Sequence, residues 1–229
     1  MDEAINWITS KGVKISLKDP DDYEEWKNIE GYLNEVEEVL YGDDFTDPDK
    51  GWRKYFDEDS FIDWYLVNEV AKNSDATWWT SVYMYFNPKN GKIHMGPLWD
   101  FDIGFGNINY KNYDLSEGFI INTSGWYSRL FQDPDFVVAV KARWDEKESE
   151  LEVLVGTESS SVVTSISEMA DNLKTDAEVN FNLWTILGSY VWPNAAGYEL
   201  RTTYQSEVDY LTTWLKNRIT WLDTALNAL

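Results

Sequence analysis

Apolar residues recur at helical spacing from Trp26 through Ile29, Leu33 and Val36 to Leu40, which predicts an amphipathic helix up to about Tyr41. The Asp19-Pro-Asp-Asp stretch supplies its opening turn and cap. Ahead of it, Gly12-Val-Lys-Ile-Ser-Leu alternates and reads as one strand, while residues 41–54 read as a loop. A second helix is predicted to start near Asp59-Ser60, either of which serves as its cap, and to carry Phe61, Trp64, Tyr65 and Ala71. Its apolar face is too wide for a surface helix, so it is expected at the centre of the fold. Asn73-Ser-Asp75 ends it. The period then shortens to two: Val82, Met84 and Phe86 point one way, Ser81, Tyr83 and Tyr85 the other. Asn87-Pro-Lys-Asn-Gly91 is a turn signal, and a return strand over 92–99 leads to Asp100.

Beyond Gly106 an Asn- and Tyr-rich loop runs to about Ser124, and the remainder reads as mostly helix. A short helix is expected over 125–131, and Asp133-Pro134 opens a longer one with Phe136, Val137, Val140 and Trp144 on its inner side. The serine-rich patch 158–161 joins two helices rather than two domains. Further helices are expected over 162–173 and 177–187, then a loop over 188–197. A last helix is expected over 198–228, striped with Tyr204, Val208, Leu211, Leu215, Ile219 and Leu222. With helices outnumbering strands about two to one and no internal repeat, the pattern describes one helix-rich α+β domain over 1–229.

Charge narrows the partners. Against 41 acidic residues stand 19 basic ones, a formal charge of -22. No basic footprint exists to displace counterions, so neither nucleic acid nor an anionic membrane is expected as a partner. The absence of cysteine excludes thiol nucleophiles, disulfides and cysteine-ligated zinc. No apolar run approaches the ~20 residues of a membrane span, and Met1-Asp-Glu-Ala-Ile lacks the features of a signal peptide. The 13 Trp and 14 Tyr are read first as packing between helices and second as a sugar-stacking surface.

The candidate chemistry lies in MGPLWDFDIGFG, residues 95–106, where Asp100 and Asp102 stand two apart as a strand gives way to a glycine-bearing turn. Such carboxylates suit a hard, oxygen-seeking cation such as Mg2+, with a phosphate-bearing substrate supplying further ligands. A hairpin returns the end of its second strand near the start of its first. Asp75, 25 residues earlier, is therefore expected to meet the later pair. Phosphoryl transfer needs this division of labour, one acid for the attacking hydroxyl and others for metal on the phosphates. Read from the residues alone, the pair serves equally as acceptors for backbone N–H groups in a tight turn.

The stretches Phe61-Ile-Asp-Trp-Tyr-Leu-Val-Asn-Glu-Val-Ala-Lys-Asn-Ser-Asp75, Val82-Tyr-Met-Tyr and Gly96-Pro-Leu-Trp-Asp-Phe-Asp-Ile-Gly-Phe-Gly106 resemble the spore coat protein H (CotH) kinase family. So do Trp184 after Ala177-Glu-Val-Asn and the ending Trp214-Leu-Lys-Asn-Arg218-Ile-Thr-Trp-Leu-Asp223. The resemblance implies an atypical protein-kinase-like fold, here its carboxy-terminal catalytic lobe around a central β-hairpin. It also implies ATP and Mg2+ (or Mn2+) as cofactors, and a protein substrate phosphorylated on Ser or Thr. An upstream amino-terminal lobe is expected as a partner, and the location as a bacterial spore or cell surface or a secreted, cellulosomal protein. By position, Asp75 resembles the catalytic-loop acid, and Asp100 and Asp102 the metal-binding motif, with Asp100 the first choice. Asn73 is expected at the cofactor, and Glu69 as a brace for the loop. Many relatives carry an asparagine soon after the loop acid. This chain has Thr77-Trp-Trp-Thr-Ser81 there, so Ser81 or Thr80 takes its place.

Other chemistries find less support. His94, the only histidine, alternates along the return strand as a half-exposed residue, and no Gly-x-Ser-x-Gly elbow accompanies it. Gly104 and Gly106 lack the lysine and the strand-helix frame of a phosphate loop and read as a turn. Asp75 with Asp100 as a glycosidase pair, and a non-catalytic carbohydrate- or protein-binding module, are the competing functions.

Overall fold

Helix α2 (Glu58–Ala71) is central to the fold because its apolar residues cover most of its circumference, and Phe61, Ile62, Trp64, Tyr65 and Leu66 are all buried. The computed structural model describes residues 5–20, 23–78 and 80–229. In chain order these form β1 (Asn6–Ile8), β2 (Lys14–Ser16), α1 (Tyr23–Leu40), α2, β3 (Met84–Asn87) and β4 (Lys92–Met95). Then follow α3 (Tyr127–Leu130), α4 (Pro134–Leu154), α5 (Ile166–Leu183) and α6 (Tyr204–Asn227). Single 3-10 turns lie at Trp52–Lys54 and Tyr198–Leu200. Two antiparallel hairpins, β1–β2 and β3–β4, are the only sheets among the described residues. The helix-rich α+β reading stands.

Helices α4 and α6 and strand β4 pack on α2. Aromatic rings fill the space between: Phe56 stacks on Phe61 at 4.4 Å and on Trp126 at 5.2 Å, and Trp64 stacks on Tyr127 at 5.6 Å. Each such pair adds about 0.5–1.5 kcal/mol beyond the area it buries. Most of the tryptophan load therefore serves packing. Trp126 also donates its indole N–H to the buried Glu37 carboxylate at 2.9 Å, and the Thr9 hydroxyl and Lys11 N–H donate to the same group. That shared acceptor ties the turn between β1 and β2 to α1 and to the core.

Several boundaries differ from those expected. The strand expected over 12–17 is the second arm of a hairpin whose first arm, Asn6–Ile8, is too short to show alternation. The Asp21 and Asp22 part of the first cap lies outside the described residues. Helix α2 is capped by Asp57, not Asp59 or Ser60: its carboxylate accepts the Ser60 N–H at 3.0 Å. The cause is tertiary. Asp57 N–H donates to Ile93 of β4, so the chain must stay extended through Asp57. The central hairpin is shorter than expected at both free ends, starting at Met84 and stopping at Met95. A cis peptide joins Gly96 to Pro97, and Asp100 lies in a turn five residues past the strand instead of at its end. The two helices expected over 162–173 and 177–187 are one, α5, because the polar Lys174-Thr-Asp is exposed and tolerated mid-helix. The final helix starts at Tyr204, where Thr203 and Ser206 form a reciprocal capping box.

Candidate active site

The end of α2 builds one wall of the site. Lys72 takes the left-handed conformation (φ 48°) as the C-cap, and Asn73 follows with its N–H bonded to the Asn68 carbonyl at 3.0 Å. The Lys72 chain runs inward, and its ammonium donates to the main-chain carbonyls of Leu115 at 2.6 Å and Glu117 at 2.5 Å. Burial, with Arg218 nearby, lowers that ammonium to about 8. Asn73 is 1% exposed. Its side-chain oxygen accepts the Asp75 N–H, and its amide donates to Asn68 Oδ1 and to the Asp100 main-chain carbonyl, each at 3.2 Å. One buried asparagine thus holds both the loop that carries Asp75 and the turn that carries Asp100.

The second wall is the turn 100–106. Asp100 has φ 67°, a left-handed conformation that aspartate tolerates better than most residues. Phe105 N–H donates to the Ala71 carbonyl at 2.6 Å, which docks the turn on the end of α2. Gly104 N–H closes on the Phe101 carbonyl at 3.0 Å, so the expected turn forms. Gly106 (φ 77°) lies flat against Trp214, where an added Cβ would sit 2.4 Å from the indole nitrogen. Ser81, also left-handed, donates its hydroxyl to Asp100 Oδ2 at 3.0 Å.

A cleft of about 430 Å³ is lined by Ser74, Asp75, Thr77, Thr80, Asp100 and Asp102, together with Ile103, Tyr110, Lys111 and Trp192. All three carboxylates singled out in the sequence open on it. Burial raises the Asp75 carboxyl above its ordinary 3.8, and the charges of Asp100 and then Asp102 push it further the same way. Asp75 therefore feels the charge of both other acids. Among the described residues, however, no three acidic or imidazole groups are drawn close enough to make a ready cage for a metal ion. Asp100 and Asp102 are exposed, and Asn73 has its polar atoms committed within the protein. This donor set fits a small hard cation that keeps waters and substrate phosphates among its ligands, since Mg2+ is usually held by one or two carboxylates.

Three lining residues escaped the sequence reading: Tyr110, Lys111 and Trp192. Nothing in their spacing links them to the acids, and folding alone brings the 188–197 loop beside them. Glu69 and Arg218 sit behind the site, both wholly buried and paired at 2.8 Å. Glu69 also accepts N–H bonds from Ile120 and Ile121, so it braces the loop after the site without reaching the cleft. His94 lies on β4, stacked on Tyr85 at 5.1 Å.

The sequence model of the CotH kinase protein family matches residues 6–222. The chain belongs to that family. A comparison with curated proteins finds no match. For a CotH kinase family member the helix-rich α+β fold is that of a kinase-like carboxy-terminal lobe. Membership implies ATP, a divalent metal and protein substrates in general terms. The family is one of spore coats, compatible with a surface location, and no helix of the described residues is long and apolar enough to cross a membrane.

Proposed function

We propose that this chain is the catalytic lobe of a CotH-type protein kinase that moves the γ-phosphate of ATP to a Ser or Thr hydroxyl. What supports this reading is that Asp75, Asp100 and Asp102 line one cleft while Asn73 fixes the segments of the first two to each other. Asp75 orients the acceptor hydroxyl and takes its proton as the new O–P bond forms. The bond from the γ-phosphorus to the bridging oxygen breaks, and ADP leaves. An acid with a raised pKa is a better proton holder for this step than an ordinary carboxylate. Asp100, steadied by Ser81, and Asp102 would hold the divalent cation, Mg2+ or Mn2+, which would neutralise phosphate charge. Lys111 supplies the one cationic side chain lining the cleft among the described residues. An upstream amino-terminal lobe covers the nucleotide, and the enzyme works at a bacterial spore or cell surface.

Calorimetric titration of MgATP into the wild type and Asp100→Asn tests the reading. Heat is expected for the wild type and its loss in the variant. Equal heats for both, or none for either, would overturn the assignment. A non-catalytic binding module is the second reading, favoured by the exposed Trp184 and Trp192. It requires ligand binding that is indifferent to Asp75→Ala.

A further inference from the structure

Trp192 is 67% exposed, yet it is not loosely placed. Its ring stacks on Tyr110 at 6.5 Å and 17°, and both residues line the cleft that holds Asp75. The loop beneath it is tied to the acidic turn by a chain of side-chain amides. Val191 N–H donates to Asn194 Oδ1 at 2.8 Å, and the Asn194 amide donates to Asn107 Oδ1 at 3.0 Å. The Asn107 amide donates in turn to the main-chain carbonyl of Asp102 at 3.1 Å. Asn109 separately holds the Tyr190 hydroxyl at 2.8 Å. The aromatic plate is therefore set in register with the acids, and a large apolar surface is kept facing a reactive cleft.

We propose that Tyr110 and Trp192 form the acceptor subsite, where the substrate polypeptide lays an apolar or aromatic side chain that neighbours the hydroxyl to be phosphorylated. This rests on the phosphotransferase reading above and adds the recognition element. A nucleobase or a sugar is a poorer occupant. Both need polar partners at their edges, and the amides beside the plate are already bonded, Asn194 to Asn107, Asn107 to the Asp102 carbonyl and Asn109 to the Tyr190 hydroxyl. An apolar side chain needs only the ring face, and its burial on a rigid tryptophan is the usual form of a binding hot spot.

The test uses Ser-centred peptides carrying Leu, Phe, Lys, Glu or Gly at each flanking position, with labelled ATP. The wild type is expected to select Leu or Phe at one position. Trp192→Ala should erase that selection and raise the acceptor KM about tenfold while the KM for ATP stays within about twofold; Trp192→Phe should restore most of the selection. Unaltered selection in Trp192→Ala, or a matching rise in the KM for ATP, overturns the proposal. Anisotropy of the same peptides, labelled and without nucleotide, is read in parallel. Trp192-dependent binding without transfer keeps the subsite and sinks the kinase reading. No binding and no transfer, or Trp192-dependent binding of cellohexaose instead, overturns the subsite.

Discussion

The side-chain amide of Asn73 donates to the main-chain carbonyl of Asp100 at 3.2 Å, while its oxygen accepts the main-chain N–H of Asp75 at the same distance. The separation of the two acids is thereby set by one side chain whose own position is fixed by Asn68 at the end of α2. Asn73→Ala leaves every cleft carboxylate in place but frees the two segments. The expected outcome is a loss of about 1–3 kcal/mol in unfolding free energy, from buried groups left without partners. MgATP affinity should fall about tenfold, because a small misplacement of catalytic groups is costly. Denaturant unfolding and calorimetry check the two parts. An undiminished affinity would show that the acids hold their spacing without the asparagine.

The charge cluster makes a second prediction, in pH. Asp75 has a folded pKa above 3.8, so its ionised form opposes folding at neutral pH. That penalty disappears as pH falls through the folded pKa and is absent below the unfolded value. Metal binding runs the other way. The charged Asp75 beside Asp100 and Asp102 adds to their attraction for a cation, so affinity for Mg2+ should weaken as pH falls through the Asp75 pKa, and binding should release protons. Asp100→Asn keeps a side chain that tolerates the left-handed backbone and removes one of the charges pressing on Asp75. Carboxyl-detected NMR should show the Asp75 titration moving part of the way down, burial remaining. A titration that does not move would mean the two groups are not electrostatically coupled.

How much of this was visible beforehand depends on where each feature is encoded. The apolar sweep from Phe61 to Ala71 announced a central helix because its exposed side is confined to the narrow line of Asp59, Asp63 and Val67. Asp75, Asp100 and Asp102 were legible because a hairpin forces its ends together whatever its exact length. The Asp57 cap was not, since it is chosen by Asp57 N–H pairing with Ile93, a contact far along the chain. The short arm Asn6–Ile8 shows no alternation of its own and exists through its partner. Tyr110 and Lys111 carry no local signal that links them to the acids, and Trp192 stands in a loop over 80 residues from Asp102 that the Asn107–Asn194 and Asn109–Tyr190 bonds bring to the cleft.

The packing of the acidic turn gives a third prediction. Gly106 has a positive φ and lies so close to Trp214 that a methyl group would overlap the indole at 2.4 Å. Trp214 cannot simply retreat: its N–H is bonded to the Asp114 carbonyl at 2.6 Å, and Tyr210 holds the Gly106 carbonyl at 3.0 Å. Gly106→Ala should therefore destabilise by about 1–3 kcal/mol, the range for overpacking, and shift the indole fluorescence of Trp214. The double variant Gly106→Ala/Trp214→Phe should lose less than the sum of the two single losses. Strict additivity would place the strain elsewhere.

The deepest bond behind the site is the ion pair of Glu69 and Arg218, both 0% exposed. Burial pushes the Glu69 carboxyl up and the Arg218 guanidinium down, and each partner restrains the other's shift. The guanidinium also donates to the carbonyls of Glu69, Ser116 and Gly118, while the carboxylate takes the N–H groups of Ile120 and Ile121. Five backbone groups thus depend on two side chains, and an ammonium lacks the fork to serve them. Glu69→Ala and Arg218→Ala should each cost about 3–5 kcal/mol, since either leaves a buried charge alone. Arg218→Lys should recover little. Glu69→Gln/Arg218→Met should fall well short of the summed single losses. Hydrogen exchange in the single variants should quicken first at 116–121, ahead of α2. Exchange that rises evenly through the core would mean the pair holds helix to helix rather than loop to helix.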